Sequence, residues 1–269
     1  MMGGGGKVKE LLEQIKQAAR GAGRMILSAS NIREATVQKG NNSNLVTAYD
    51  KKVQAFLEET LHEVLPEARF LGEENHEDTF LKEYGKGYLF VIDPIDGTSN
   101  FVFGYRRSVT SIALMLDGKP VLGVIYNPYD DIMYAAVAGE GAWINEERMT
   151  SSGQPLSRSL VIFGTSPYYK KEDIRRAFDI AYAYMPHCVD IRRSGSAAWD
   201  LCQVASGVAG IFFEPVLQLW DYAAGALIVE EAGGIVTTLS GEKLSYTGAS
   251  SVIAASQGAS KDAYLPGSI

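Results

Sequence analysis

The sequence predicts an α/β protein of the layered α+β sandwich type, in two parts. Helices on an antiparallel sheet come first, and helices on a mixed sheet follow. Three observations carry that expectation. Two stretches near the start repeat their apolar residues at helical spacing. A middle stretch switches to short β-favouring runs broken by turn residues, and the last third alternates strand with helix.

Along residues 7–29, Val8, Leu11, Leu12, Ile15, Ala18, Ala19, Ala22, Met25 and Ile26 mark one buried helical face. The glycine-rich residues 1–6 before it read as a flexible leader without a secretory-signal pattern. Residues 40–44 form a polar loop, and 45–49 lead from it to Asp50. Asp50 can cap a second helix whose stripe is Val53, Phe56, Leu57, Leu61, Val64 and Leu65, and Pro66 ends it. A short strand at 69–71 delivers Gly72, Glu73 and Glu74, and a polar loop runs on to Lys86.

The apolar run 88–92 reads as a buried strand that reaches Asp93 and is stopped by Pro94. Residues 108–116, 120–126, 132–137 and 142–144 are further strands. Asp117-Gly118, Asn127-Pro128-Tyr129-Asp130 and Gly139-Glu140-Gly141 separate them with turn chemistry, which predicts an antiparallel meander. The polar, irregular stretch 149–158 is the expected boundary between an α+β metal-binding part, 7–150, and an α/β part, 151–269, that completes the substrate site. Beyond it, strands at 160–164, 187–191, 211–213, 235–239 and 252–255 alternate with helices at 171–185, 197–206 and 222–232. That alternation predicts a mixed or largely parallel sheet.

With 269 residues, the chain has ample material for a core. A net charge of −7 argues against a nucleic-acid partner, although Arg106-Arg107 or Arg192-Arg193 could draw a small anion. No stretch approaches the ~18 apolar residues that span a bilayer, so no membrane association is expected. Cys188 and Cys202 sit in neither metal-ligand nor redox spacing and read as free, buried thiols of a cytoplasmic protein.

The chemistry centres on Asp93-Pro94-Ile95-Asp96-Gly97-Thr98. Two carboxylates around a forced turn repel one another and are costly to bury. A hard divalent cation removes that cost by taking oxygens from both side chains and from a turn carbonyl. Gly97 lets the backbone approach a ligand closely, Thr98 offers a hydroxyl, and a helix starting near Ser99 would point free amides at an anion. The residues read as a magnesium-phosphate site. Glu73-Glu74 and Asp221 also stand at the ends of apolar runs. One such acid is ordinarily a cap or a solvated group, but three of them suit a pair of ions about 4 Å apart on one phosphate. His62, His76 and His187 have no catalytic spacing, and Glu74 reads as an electrostatic neighbour of the site. Trp143, Trp199 and Trp220 read as core or interface anchors. Ser166 lies near a strand-helix junction, within possible reach of a substrate.

Together with Gly72-Glu73-Glu74, Trp220-Asp221-Tyr222-Ala223-Ala224-Gly225, Val46-Thr47-Ala48-Tyr49-Asp50, Arg192-Arg193-Ser194-Gly195-Ser196-Ala197-Ala198 and Glu230-Glu231-Ala232-Gly233-Gly234, the central motif resembles the inositol monophosphatase family. That family belongs to the magnesium-dependent, lithium-sensitive sugar phosphatases. The resemblance implies α-β-α-β-α layers, two or three Mg2+ ions, inhibition by Li+, and a homodimer acting on a small phosphorylated polyol. Glu73, Asp93 and the Ile95 carbonyl would hold one ion, and Asp93, Asp96 and Asp221 a second. Asp50 and Thr98, with Glu73, would serve the attacking water. Asp96, Gly97, Thr98, Gly195, Ser196, Ala197, Glu214 and Asp221 would contact substrate. Glu214, seven residues before Asp221, has the spacing of the family's inositol-binding glutamate. The implied activity is hydrolysis of myo-inositol monophosphate. The same chemistry on fructose 1,6-bisphosphate, 3′-phosphoadenosine 5′-phosphate or histidinol phosphate, or a non-catalytic regulatory role, remains the alternative.

Overall fold

The computed structural model of the protein describes residues 5–33, 36–38, 45–74 and 85–264. The polar loop 40–44, His76, most of the loop 75–86 and residues 1–4 of the leader lie outside them. The first helix, α1 (Gly5–Leu27), takes in the end of the glycine leader. An antiparallel pair, β1 (Thr36–Gln38) and β2 (Leu45–Thr47), leads into α2 (Ala48–Val64).

A seven-stranded sheet follows in sequence order: β3 (Arg69–Gly72), β4 (Tyr88–Asp96), β5 (Val109–Leu116), β6 (Lys119–Asn127), β7 (Ile132–Val137), β8 (Gly141–Ile144) and β9 (Glu147–Met149). Only the β3–β4 pairing is parallel, so the expected meander is present with one strand more than predicted. Its apolar residues divide by the period of two. Phe90, Ile92, Ile112, Leu114 and Val124 face α1 and α2. Leu89, Val91, Val109, Ala113 and Ile125 face the opposite way, onto a second pair of helices.

The strand does not stop at Pro94. Asp93 pairs with Ser111 and Asp96 with Val109, so three steps on β4 match two on β5. This is a bulge, where a proline without an N–H is tolerated. The extra residue resets the alternation and buries Ile95 on the α1–α2 side. In a regular strand, residues three apart face opposite ways. The bulge undoes that and brings Asp93 and Asp96 together. The short helix α3 (Thr98–Phe103) follows directly.

The second sheet has the order β11-β10-β12-β14-β13. It is built from β10 (Leu160–Phe163), β11 (Asp190–Arg192), β12 (Ala209–Leu217), β13 (Ile235–Thr237) and β14 (Ser250–Ala255). β10 is parallel to β11 and β12, whereas β14 is antiparallel to both of its neighbours, so the sheet is mixed. α4 (Lys171–Tyr184) covers its outer face. α5 (Ala197–Ala205) and α6 (Leu219–Glu231) lie between the two sheets and touch strands of both. The layers therefore run α-β-α-β-α. α6 is apolar on nearly every side, as a helix between two sheets must be, and starts three residues earlier than its sequence suggested. Asp221 thus sits in the first turn of a helix and not after an apolar run. Both cysteines are free, but Cys188 is half-buried where the sequence suggested full burial. Among the described residues, no helix is long and apolar enough to cross a membrane.

Candidate active site

A cleft of about 180 Å³ opens where the ends of β4, β10 and β12 meet the starts of α3, α5 and α6. Glu73, Asp93, Ile95, Asp96, Gly97, Thr98, Gly195, Ser196, Ala197, Glu214 and Asp221 all line it, although they come from distant parts of the chain. Asp50 stands behind Thr98.

Asp93, Asp96 and Asp221 each offer a carboxylate oxygen, and those oxygens lie within 4.8 Å of one another. The protein has already fixed part of each group. Ile95 N–H donates to Asp93 Oδ1 at 3.0 Å. Ser196 Oγ and Ala198 N–H donate to Asp96 Oδ2 at 2.6 and 2.7 Å. Gln218 N–H donates to Asp221 Oδ2 at 2.6 Å, half of a capping box on α6. Burial, then the charges of Glu73, Asp96, Asp221 and Asp50, holds the Asp93 carboxyl well above the usual range. Asp221 is held well above it by burial and then by Asp96 and Glu73. Burial pushes Asp96 up to about 6 against the pull of its Ser196 and Ala198 donors. Two buried acids and a half-buried third, all strained to keep protons, are a fit for a hard cation, which would discharge them together. Glu73 falls outside this tightest group, although it lines the cleft and its charge reaches both Asp93 and Asp221.

Asp50 is not the cap of α2. Thr47 is, and Asp50 is the third helical residue of a capping box. Thr47 N–H and Oγ1–H both donate to Asp50 Oδ2, at 2.7 and 2.5 Å. That fixes the carboxylate and leaves Oδ1 facing the Thr98 hydroxyl at 3.2 Å. The same hydroxyl is 3.2 Å from the Ile95 carbonyl, so one proton is shared between two acceptors. Burial raises Asp50 above its ordinary value, and the Thr47 donors oppose that.

Gly97 makes the corner possible. Its φ of 85° is left-handed, and a Cβ there would lie 2.9 Å from the Arg107 carbonyl oxygen and 3.1 Å from Ser196 Cβ. Asn100 locks the same corner by donating to the carbonyls of Arg107 and Ser194.

At the other end, Glu214 is buried and pushed up to about 8 by desolvation, with Asp96 adding to the shift. The Tyr169 hydroxyl lies 3.1 Å from Glu214 Oε1 and 2.6 Å from the Val216 carbonyl. Gly164 supplies the space, since a Cβ there would fall 1.9 Å from Glu214 Oε2. The sequence assigns no role of their own to Thr47, Asn100, Gly164 and Tyr169. Thr47-x-x-Asp50 ahead of an apolar stripe was a legible capping-box signal. The contacts of the other three are far away in the chain and leave no local pattern. Of the basic pairs, Arg193 alone lines the cleft, and it donates to the Thr165 carbonyl at 2.5 Å. Arg107 instead pairs with Asp130 at 3.3 Å. Ser166 lines the cleft as well.

The inositol monophosphatase family model matches residues 7–267. Inositol monophosphatase 2 of Saccharomyces cerevisiae is 37% identical over 212 residues, 74% of this chain and 70% of that protein. The crystal structure of extragenic suppressor protein suhB from Bartonella henselae superposes with a TM-score of 0.83 at 32% identity, covering 95% of this chain and 97% of that one. Staphylococcal IMPase-II superposes with a TM-score of 0.77 at 27% identity in its inositol monophosphate-bound form, covering 95% of this chain and 93% of that one. Its 2′AMP-bound form superposes with a TM-score of 0.75 at 30% identity, covering 93% of this chain and 90% of that one.

Proposed function

This chain belongs to the inositol monophosphatase family, and from that premise we propose that it hydrolyses myo-inositol monophosphate to inositol and phosphate with magnesium as cofactor. The observation that carries the reading is the bulge that unites Asp93 and Asp96 beside Asp221, at one end of a cleft whose other end holds Glu214. Glu73, Asp93 and the Ile95 carbonyl would hold one ion, and Asp93, Asp96 and Asp221 a second. When bound, the ions supply charge for the phosphate and the leaving oxygen and ease ionisation of a water.

The chain's own groups do the rest. The Thr98 hydroxyl accepts a hydrogen bond from the attacking water and passes its own proton towards Asp50 Oδ1, which Thr47 has fixed in place. Backbone amides of Gly97 and Thr98 orient the phosphate. Gly195, Ser196 and Ala197 form the wall along the alcohol, and Ser196 also keeps Asp96 in position. Glu214 accepts a ring hydroxyl. In this reading residues 7–150 supply most of the metal-binding part and 151–269 complete the substrate site.

We extend the same reading to sensitivity to lithium, a cytoplasmic location and a homodimer. Phe178, Tyr182 and Met185, spaced at four and three residues along the α4 end, expose apolar surface that supports self-association. A second reading is a nucleotide monophosphate substrate, favoured by the neighbour that binds 2′AMP.

The test is phosphate release with and without magnesium from inositol 1-phosphate, 2′AMP, fructose 1,6-bisphosphate, 3′-phosphoadenosine 5′-phosphate and histidinol phosphate, each also with lithium. Magnesium-dependent preference for inositol 1-phosphate is expected. No turnover of any ester with magnesium would overturn the reading, and preference for a nucleotide would move it to the second.

A further inference from the structure

Two residues that line the cleft carry buried polar atoms without a hydrogen-bond partner in the protein. Asp200, on the first turn of α5, is 1% exposed, and its Oδ1 has no hydrogen-bond partner. Thr165, after β10, is 9% exposed, and its Oγ1 is also unpartnered. Both residues line the same cleft as Glu214 and Arg193. A buried carboxylate oxygen without a donor is costly, and native proteins rarely leave one. Its surroundings do not relieve it. Burial holds the group well above the usual carboxylate range; the Ser194 hydroxyl and Arg193 pull against that, and the charges of Asp96 and Glu214 add to it. A cation is already accounted for by the Asp93, Asp96 and Asp221 oxygens. Asp200 is outside that group, within reach of the charges of Asp96, Glu214 and Arg193.

We propose that Asp200 is a specificity-determining residue whose Oδ1 binds a second hydroxyl of the substrate's alcohol, beside the one Glu214 takes. Thr165 Oγ1 completes the contact as donor or acceptor. This deepens the proposed function and rests on it. The ligand class follows from the chemistry: a phosphomonoester of an alcohol with at least two further free hydroxyls. An alcohol without them leaves both buried atoms unsatisfied, and sites built to bond a hydroxyl discriminate strongly against analogues that lack it.

The experiment compares wild type with Asp200→Asn on inositol 1-phosphate and on phenyl phosphate, whose alcohol has no further hydroxyl. The expected result is a fall of about tenfold in the ratio of kcat/KM for inositol 1-phosphate over phenyl phosphate, carried by KM, as for one lost hydrogen bond to a charged group. An unchanged ratio means that water satisfies Asp200 and overturns the inference while leaving the proposed function intact. An equal loss on both substrates assigns Asp200 a structural role and overturns it too. Wild type that prefers phenyl phosphate sinks the functional reading and this inference together. Should D200N fail to fold, wild type assayed on the monodeoxy inositol 1-phosphates decides. KM penalties at two separate ring positions are expected, and a penalty only at the position that Glu214→Gln abolishes is the contrary result.

Discussion

β4 and β12 reach the cleft by the same device. Each is nine residues long, each carries an acid followed by proline, and each gains one residue over its antiparallel neighbour there. Asp93-Pro94-Ile95-Asp96 on β4 answers three residues of β5, and Glu214-Pro215-Val216-Leu217 on β12 answers three of β14. The difference lies in the fourth position. On β4 it is a second acid, so the bulge gathers like charges that call for a cation. On β12 it is a leucine, so a single carboxyl faces the cleft from an apolar strand end, with Tyr169 beside it. One backbone geometry thus gives a pair of acids at one strand end and a single acid at the other, according to one side chain.

The contrast breaks most directly at its acids. Asp96→Asn should lower kcat/KM by ~10³ or more, the scale on which electrostatic stabilisation acts at a reacting centre. Its melting temperature should stay close to wild type, because the substitution removes one of three mutually repelling groups. The matching change on the other strand, Glu214→Gln, should raise KM for inositol 1-phosphate ~10-fold with kcat little altered, since it weakens a binding contact. Steady-state kinetics on both variants gives the comparison, and equal losses in kcat would erase the distinction between the two strands.

A smaller and sharper signature lies in stability against pH. The folded-state values of Asp96 and Glu214 are raised to about 6 and about 8, above the ~4 of unfolded carboxyls. Such groups contribute stability that is complete below the unfolded value and is lost as pH rises through the folded one. The metal-free protein should therefore lose a few degrees of melting temperature in each of two windows, one around pH 4–6 and one around pH 4–8. Saturating magnesium should remove the loss that ends near pH 6, which belongs to Asp96, and spare the one that ends near pH 8, which belongs to Glu214. Differential scanning fluorimetry with and without the ion reads this. A magnesium effect spread evenly over both windows would mean that the two ends are not electrostatically separate.

Much of this architecture is written locally. The helical stripes of α1 and α2 and the turn pairs of the meander name their elements without help from the rest of the chain, and Asp93 to Thr98 announces its chemistry in six residues. What escaped is what depends on distant partners or on reading proline too strictly. Pro94 signals a stop in the sequence because it lacks a ladder donor, yet a bulge does not need one. Glu214 likewise lies inside a strand expected to end at 213, for the same reason. Asp50 resembles a cap in sequence because capping boxes put acceptors at both of their ends, and only geometry shows which residue is which. Tyr169 and Gly164 matter because of Glu214, which lies about fifty residues downstream. Asp200 in sequence is one more acid in a helix, and its burial comes from the second sheet closing over it.

α6 has a consequence for how the protein comes into being. It carries Asp221 and also fills the gap between the two sheets, packing against β4, β5, β6, β7 and β8 on one side and β13 and β14 on the other. A chain made from its N-terminus has Asp93 and Asp96 long before it has Asp221, and until α6 exists the Leu89, Val91 and Val109 face of the first sheet has only α5 to cover it. Burying that face and completing the acid cluster are a single event. A species that lacks α6 lacks both the middle layer and the third acid of the cluster.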